Sequence, residues 1–113
     1  MIKRLHVATR YSEAAIHNGV VYLAGQVPND VTQGIEGQTA EVLTMIDDLL
    51  AQAGSSKDHL LTVTIYLTDM ADYAGMNKVW DGWLNQGFAP PRACVQTALA
   101  NPLWKVEIAA QLR

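Results

Sequence analysis

The stretch Leu61–Thr68 (LTVTIYLT) alternates apolar and polar residues without a break. A period of two marks a strand with one face buried and one not. Leu61, Val63, Ile65 and Leu67 share one face, and Thr62, Thr64, Tyr66 and Thr68 the other. Any fold for this chain must therefore contain a sheet whose apolar face is covered by other elements. The flanking segments supply that cover. From Glu36 to Ala53, the residues Ala40, Leu43, Ile46, Leu50 and Ala53 recur at spacings of three and four, a helical stripe stopped by Gly54. Asp69 can cap a second helix running to about Gln86, with Tyr73, Met76, Trp80, Trp83 and Leu84 as its apolar face and Gly87 as its stop.

The rest reads as strands. Leu5–Thr9 and Ser12–His17 can each extend, and Asn18-Gly19 tolerates the positive φ of a type I′ turn before Val20–Ala24 (VVYLA) returns as a partner. Gly25 to Gly37, holding Pro28, Asn29-Asp30 and Gly34, reads as a loop. After the stiff Ala89-Pro90-Pro91, Arg92–Leu99 and Lys105–Leu112 form two strands joined by a turn at Asn101-Pro102. The order is β-β-α-β-α-β-β, with room for a short extra strand at the start. A chain of 113 residues suffices for one core. We therefore expect one α+β domain over residues 1–113, with two helices packed on one face of the sheet.

The second face carries the functional question. Parity puts Val106/Ile108/Ala110/Leu112 and Ala93/Val95/Thr97/Leu99 on the helix side. It puts Thr62/Thr64/Tyr66, Lys105/Glu107/Ala109/Gln111 and Arg92/Cys94/Gln96/Ala98 on the other. That mixed face suits either a solvated antiparallel sheet or a surface packed on a neighbouring subunit with pockets between chains. Arg92 and Glu107 share it. A guanidinium offers a planar, bidentate fork to a carboxylate, and a glutamate can position or activate a water. The two could instead pair structurally across adjacent strands, or each with another charge. Cys94 beside Arg92 is a candidate nucleophile or redox-sensitive thiol, or an inert buried residue.

Charge and composition narrow the classes. The net charge is −3 and only Lys3-Arg4 places basic residues side by side, so a nucleic-acid partner is not expected. A single cysteine allows no intrachain disulfide and fits a reducing compartment, hence the cytoplasm. No apolar run approaches the ~18 residues of a membrane span. His6, His17 and His59 are scattered and show no zinc-ligand spacing, so neither metal nor cofactor is expected. Trp80 and Trp83 read as core or rim packing, Asn77 as a hydrogen-bonding partner of a nearby loop, and Asp47-Asp48 as a solvated helix face.

Four stretches, in order and across nearly the whole chain, resemble the RidA/YjgF family of enamine/imine deaminases. They are Tyr11-Ser12-Glu13-Ala14; Leu23-Ala24-Gly25-Gln26-Val27-Pro28; the run from Thr64 through Asp69-Met70 to Asn77; and Pro91-Arg92-Ala93-Cys94 followed by Lys105-Val106-Glu107-Ile108. The resemblance implies a mixed β-sheet backed by two helices, of chorismate-mutase-like architecture. It also implies a homotrimer whose sheets face inward and whose sites lie in clefts between subunits. The implied activity, needing no metal or cofactor, is hydrolysis of reactive enamines or imines such as 2-aminoacrylate to a 2-keto acid and ammonia. By the same resemblance Arg92 grips the substrate carboxylate, and Glu107 positions water with help from the backbone carbonyl of Cys94. Tyr11 closes the pocket, and Ala24 and Gly25 line its wall.

The chain departs from the family pattern at Ala24 and Ala93, where serine is common, and in the Asn101-Pro102-Leu103-Trp104 turn. These departures point to a subfamily with its own substrate. The alternative function is a non-catalytic trimer that binds a small metabolite or a partner protein in a chaperone-like or regulatory role. A translation-inhibiting ribonuclease is disfavoured by the negative charge.

Overall fold

Asn18 and Gly19 adopt φ of 51° and 75°, the left-handed pair that a two-residue hairpin turn requires. Around this turn β2 (Ser12–His17) and β3 (Val20–Leu23) pair antiparallel, with His17 opposite Val20. In a computed structural model describing residues 1–113, the chain begins with β1 (Lys3–Val7) on the outer side of β2. It continues after β3 through α1 (Ile35–Gln52), β4 (Leu60–Leu67), α2 (Tyr73–Trp83), β5 (Arg92–Gln96) and β6 (Val106–Leu112). The six strands form one sheet in the order β1-β2-β3-β6-β4-β5. Only β4 and β5 run parallel, and α2 is the crossover that such a pair needs. No helix is long and apolar enough to cross a membrane.

Both helices lie on one face. Val63, Ile65 and Leu67 of β4 and Val106, Ile108 and Leu112 of β6 join one buried cluster with residues of α1 (Val42, Leu43, Ile46, Leu50) and α2 (Met76, Trp80). Burying each such aliphatic side chain contributes about 1.5–3 kcal/mol. Leu61 is not part of this face. The register of β4 on β6 shifts between Leu60 and Thr62, so Leu60 is buried and Leu61 is exposed. A bulge of one residue reverses parity behind it.

The helices also differ in detail from the sequence expectation. The buried line of α1 is Val42, Leu43, Ile46, Leu49 and Leu50 with Gln38 and Thr39, while Ala40 is exposed. Gln38 turns inward because its amide satisfies three backbone groups. It donates to the carbonyls of Gln33 (3.1 Å) and Leu103 (3.2 Å) and accepts from the Lys105 N–H (2.8 Å). Asp69 does cap, accepting from the Ala71 N–H at 2.8 Å, but it caps the 3₁₀ turn Met70–Asp72 that precedes α2. α2 ends at Trp83, where Leu84 becomes extended, ahead of Gly87. Asp47 is not merely solvated, since it accepts a hydrogen bond from Trp83 Nε1 at 2.9 Å and ties α1 to α2. The Asn77 amide does not serve a loop, and its buried Oδ1 has no partner.

Candidate functional site

β5 sets the orientation of the first candidate residues. Its parallel register places Arg92 beside Val63 and Cys94 beside Ile65. Those β4 residues face the helices, so Arg92 and Cys94 face them too, while Ala93 and Val95 look the other way. This reverses the face predicted for β5 from its alternation. The strand is at the sheet edge, where neither face is fully covered and the pattern selects no side; Val95 is 41% exposed on the outer face. Glu107 stands opposite Tyr66, on that outer face. Arg92 and Glu107 of one chain therefore lie on opposite faces of the sheet and form no pair.

Arg92 lies under α2, half-buried. Its Nη2 donates to the Tyr73 hydroxyl at 3.3 Å, and its guanidinium carbon sits 5.4 Å from the Trp80 ring centroid and 5.9 Å from that of Tyr73. It has no carboxylate partner, because the one ion pair of the chain joins Lys78 to Glu36 at 3.2 Å. Cys94 packs against the core beside it. Burial pushes the Cys94 thiol pKa up, with the Arg92 charge pulling less strongly downward. The sulfur therefore stays protonated at neutral pH, which argues against a nucleophilic side chain. Its main chain is placed differently. Pro91 O accepts from Val63 N–H (3.0 Å) and Thr97 N–H donates to Leu67 O (2.9 Å), so odd-numbered residues bond β4 and the carbonyl of Cys94 points to the free edge.

Glu107 belongs to a separate cleft of about 670 Å³, whose walls include Tyr11, Glu13, Ala24, Gly25, Trp104 and Glu107 itself. A short backbone bridge forms its floor. Gln26 N–H donates to Ile108 O (2.8 Å) and Ile108 N–H to Gln26 O (3.1 Å). The buried Gln26 amide donates to the Glu13 carboxylate (2.8 Å) and to Ala24 O (3.0 Å). This clamp carries Gly25 past Glu107 so closely that any Cβ at Gly25 would overlap the carboxylate. A side chain at position 25 would therefore displace the Glu107 carboxylate from where it stands. Glu13 and Gln26 are site residues that the sequence alone does not mark. Both lie in the stretches that carry the resemblance, yet only the bridge to β6 shows what they hold.

Tyr11, Ala24, Gly25 and Glu107 are thus gathered in one cleft, and Arg92 and Cys94 are not among its walls. Three carboxylates line the cleft, those of Glu13, Asp48 and Glu107, and no lysine or arginine does. A single chain therefore presents a carboxylate with room for a small molecule at one place and an unpaired guanidinium at another.

Known proteins share this architecture. A family model described as Endoribonuclease L-PSP matches residues 1–112. A RutC family protein of Haemophilus ducreyi is 50% identical over 108 residues, covering 96% of this chain and 92% of that protein. The RutC family protein YoaB of Escherichia coli is 44% identical, covering 95% and 93%. Among solved structures, a YjgF family member from Neisseria meningitidis superposes with a TM-score of 0.96 at 47% identity, covering 99% of this chain and 93% of that one. With the whole chain matched in sequence and in fold, the protein belongs to the YjgF/RidA family, whose members also carry the names RutC and L-PSP.

Proposed function

We propose that this chain hydrolyses small 2-imino or 2-enamino acids to the 2-keto acid and ammonia, in intersubunit clefts of a homotrimer where Arg92 of one copy meets Glu107 of another. One observation carries most of the weight. Arg92 has no carboxylate partner, and the Glu107 carboxylate has neither an ionic nor a hydrogen-bond partner. A structural pair would have needed both on one face. A half-buried cation kept without a counter-ion is available to an anionic ligand.

The chemistry suits these groups. The substrate carboxylate lies across the guanidinium fork, which orients the neighbouring imine carbon. An enamine first takes a proton at carbon to become the iminium. Water held by Glu107 and by the Cys94 carbonyl adds to the iminium carbon, the one bound to nitrogen and to the carboxylate, as Glu107 takes a proton. Glu107 returns the proton to nitrogen, the C–N bond breaks, and the hydroxyl proton leaves with ammonia as ammonium. The carboxylate is regenerated and the carbonyl of the keto acid remains. Ala24 leaves its part of the wall without a hydroxyl, so substrate preference differs from that of relatives with serine there. Ribonuclease activity fits poorly, since the chain carries a net charge of −3 and its cleft offers three carboxylates and no lysine or arginine of its own to a phosphodiester backbone.

The test is release of ammonia and keto acid from imines generated in situ by an amino-acid oxidase, wild type against Arg92→Ala. Acceleration by wild type alone supports the assignment. No acceleration across small, acidic and aromatic amino acids would overturn it and favour a trimer that only binds a metabolite or partner. Light scattering should give the mass of three chains, and a monomer would remove the intersubunit cleft.

A further inference from the structure

Arginine is a flexible residue, and ordering its side chain costs about 2 kcal/mol of rotamer freedom. Arg92 stands at the start of an edge strand with no anion to hold it. What holds it is α2. The guanidinium carbon lies over both the Trp80 and Tyr73 rings within the ~6 Å reach of a cation–π contact, and Nη2 donates to the Tyr73 hydroxyl. Trp80 is 5% exposed, and its ring lies 5.5 Å from that of Trp83, which Asp47 anchors to α1. Tyr73 is 39% exposed at the rim.

We propose, building on the deaminase reading above, that Tyr73 and Trp80 are positioning residues that fix the plane of the Arg92 guanidinium for the substrate carboxylate. Aromatic rings suit this task better than a carboxylate would. A glutamate beside Arg92 would neutralise it and compete with the substrate for the fork. Ring faces attract the cation while using none of its N–H groups, and the Tyr73 oxygen takes only one of the five. The remaining donors stay free for a bidentate anion. A lysine at position 92 would keep the charge but lose the plane that the rings hold.

The experiment combines turnover with a direct view of the side chain. Tyr73→Phe should raise KM about threefold and Tyr73→Leu about tenfold, with kcat changed by less than about twofold, the sizes expected for one long hydrogen bond (3.3 Å) and one partly exposed ring contact. In an Arg92→Lys background Tyr73→Leu should add nothing further. An unchanged KM in Tyr73→Leu, or full additivity in that background, would overturn the proposal. Because Trp80 is part of the core, Trp80→Phe is the variant of choice there, and Tyr73 carries the test should it fail to fold. The Arg92 Nε–H relaxation in the unliganded protein is independent of catalysis. It should report an ordered group in wild type and a mobile one in Tyr73→Leu; equal mobility in both sinks the proposal. An ordered Arg92 in a wild type without turnover would instead refute the deaminase reading and leave the positioning role standing.

Discussion

Glu107 and Arg92 are held in place by different means. Around Glu107 the main chain dominates. β6 pairs with β4 on one side, the Gln26–Ile108 bridge lies on the other, and the bare Gly25 leaves the space that the carboxylate occupies. Around Arg92 the support is side chain against side chain, at an edge strand paired on one side only. The first arrangement is rigid and sensitive to a single added carbon. The second can be weakened by degrees, through the aromatic residues chosen for α2.

Substitutions can break or sharpen that contrast. The largest effect is expected from Arg92→Ala, which removes the only proposed anchor for the substrate anion; kcat/KM for imine hydrolysis should fall by about 10³ or more while the proposed trimer stays assembled. Glu107→Gln should lower kcat by about 10²–10³ with KM little altered. The two inactive variants offer the sharpest check. Refolded together in equal amounts, they should recover about a quarter of the wild-type sites if the proposed ring sets Arg92 of one copy against Glu107 of the next. No recovery would place both residues in sites made by single chains. Gly25→Ala comes next, with kcat down about tenfold because the new methyl displaces the carboxylate. A Gly25→Ala enzyme of full activity would remove the close approach from the argument for Glu107.

The smallest expected effect is at Cys94. Its raised pKa means that iodoacetamide labelling should climb with pH later than for an ordinary thiol. The sign for stability follows from the folded protein keeping this proton longer than the unfolded chain. The contribution is present below the ordinary thiol pKa and declines as pH rises past it. Rapid labelling at neutral pH would restore a nucleophilic role.

The sequence was most informative where one periodicity ruled. Val63, Ile65 and Leu67, and Val106, Ile108 and Leu112, lie where alternation puts them because β4 and β6 have neighbours on both sides and a helix layer above. It misled where an element is half-covered. Arg92-Ala93-Cys94-Val95 alternates too, but on an edge strand both phases are tolerable, and parallel pairing with β4 chose the phase opposite to the one inferred. Leu61 was misplaced because a one-residue bulge leaves no mark in an unbroken alternation. On α1, Ala40 belongs to the apolar stripe of the sequence yet is exposed, while Gln38, outside that stripe, is buried. A buried amide can be recognised only once the three backbone groups it serves are brought to it from distant positions. The residues of the Glu107 cleft were legible as a family pattern, whereas the aromatic support of Arg92 was visible only as core-forming tryptophans.

Gln38 has a consequence for the motions of the molecule. The Lys105 amide, two residues before Glu107, would be expected to exchange its hydrogen quickly if judged by its place in a connecting segment. It donates instead to a side chain that is fully enclosed by α1 and the sheet. Opening it requires α1 to lift, so its protection should approach that of the central strands. The approach to Glu107 then unfolds with the core as one cooperative unit, and local fraying at the surface does not reach the carboxylate.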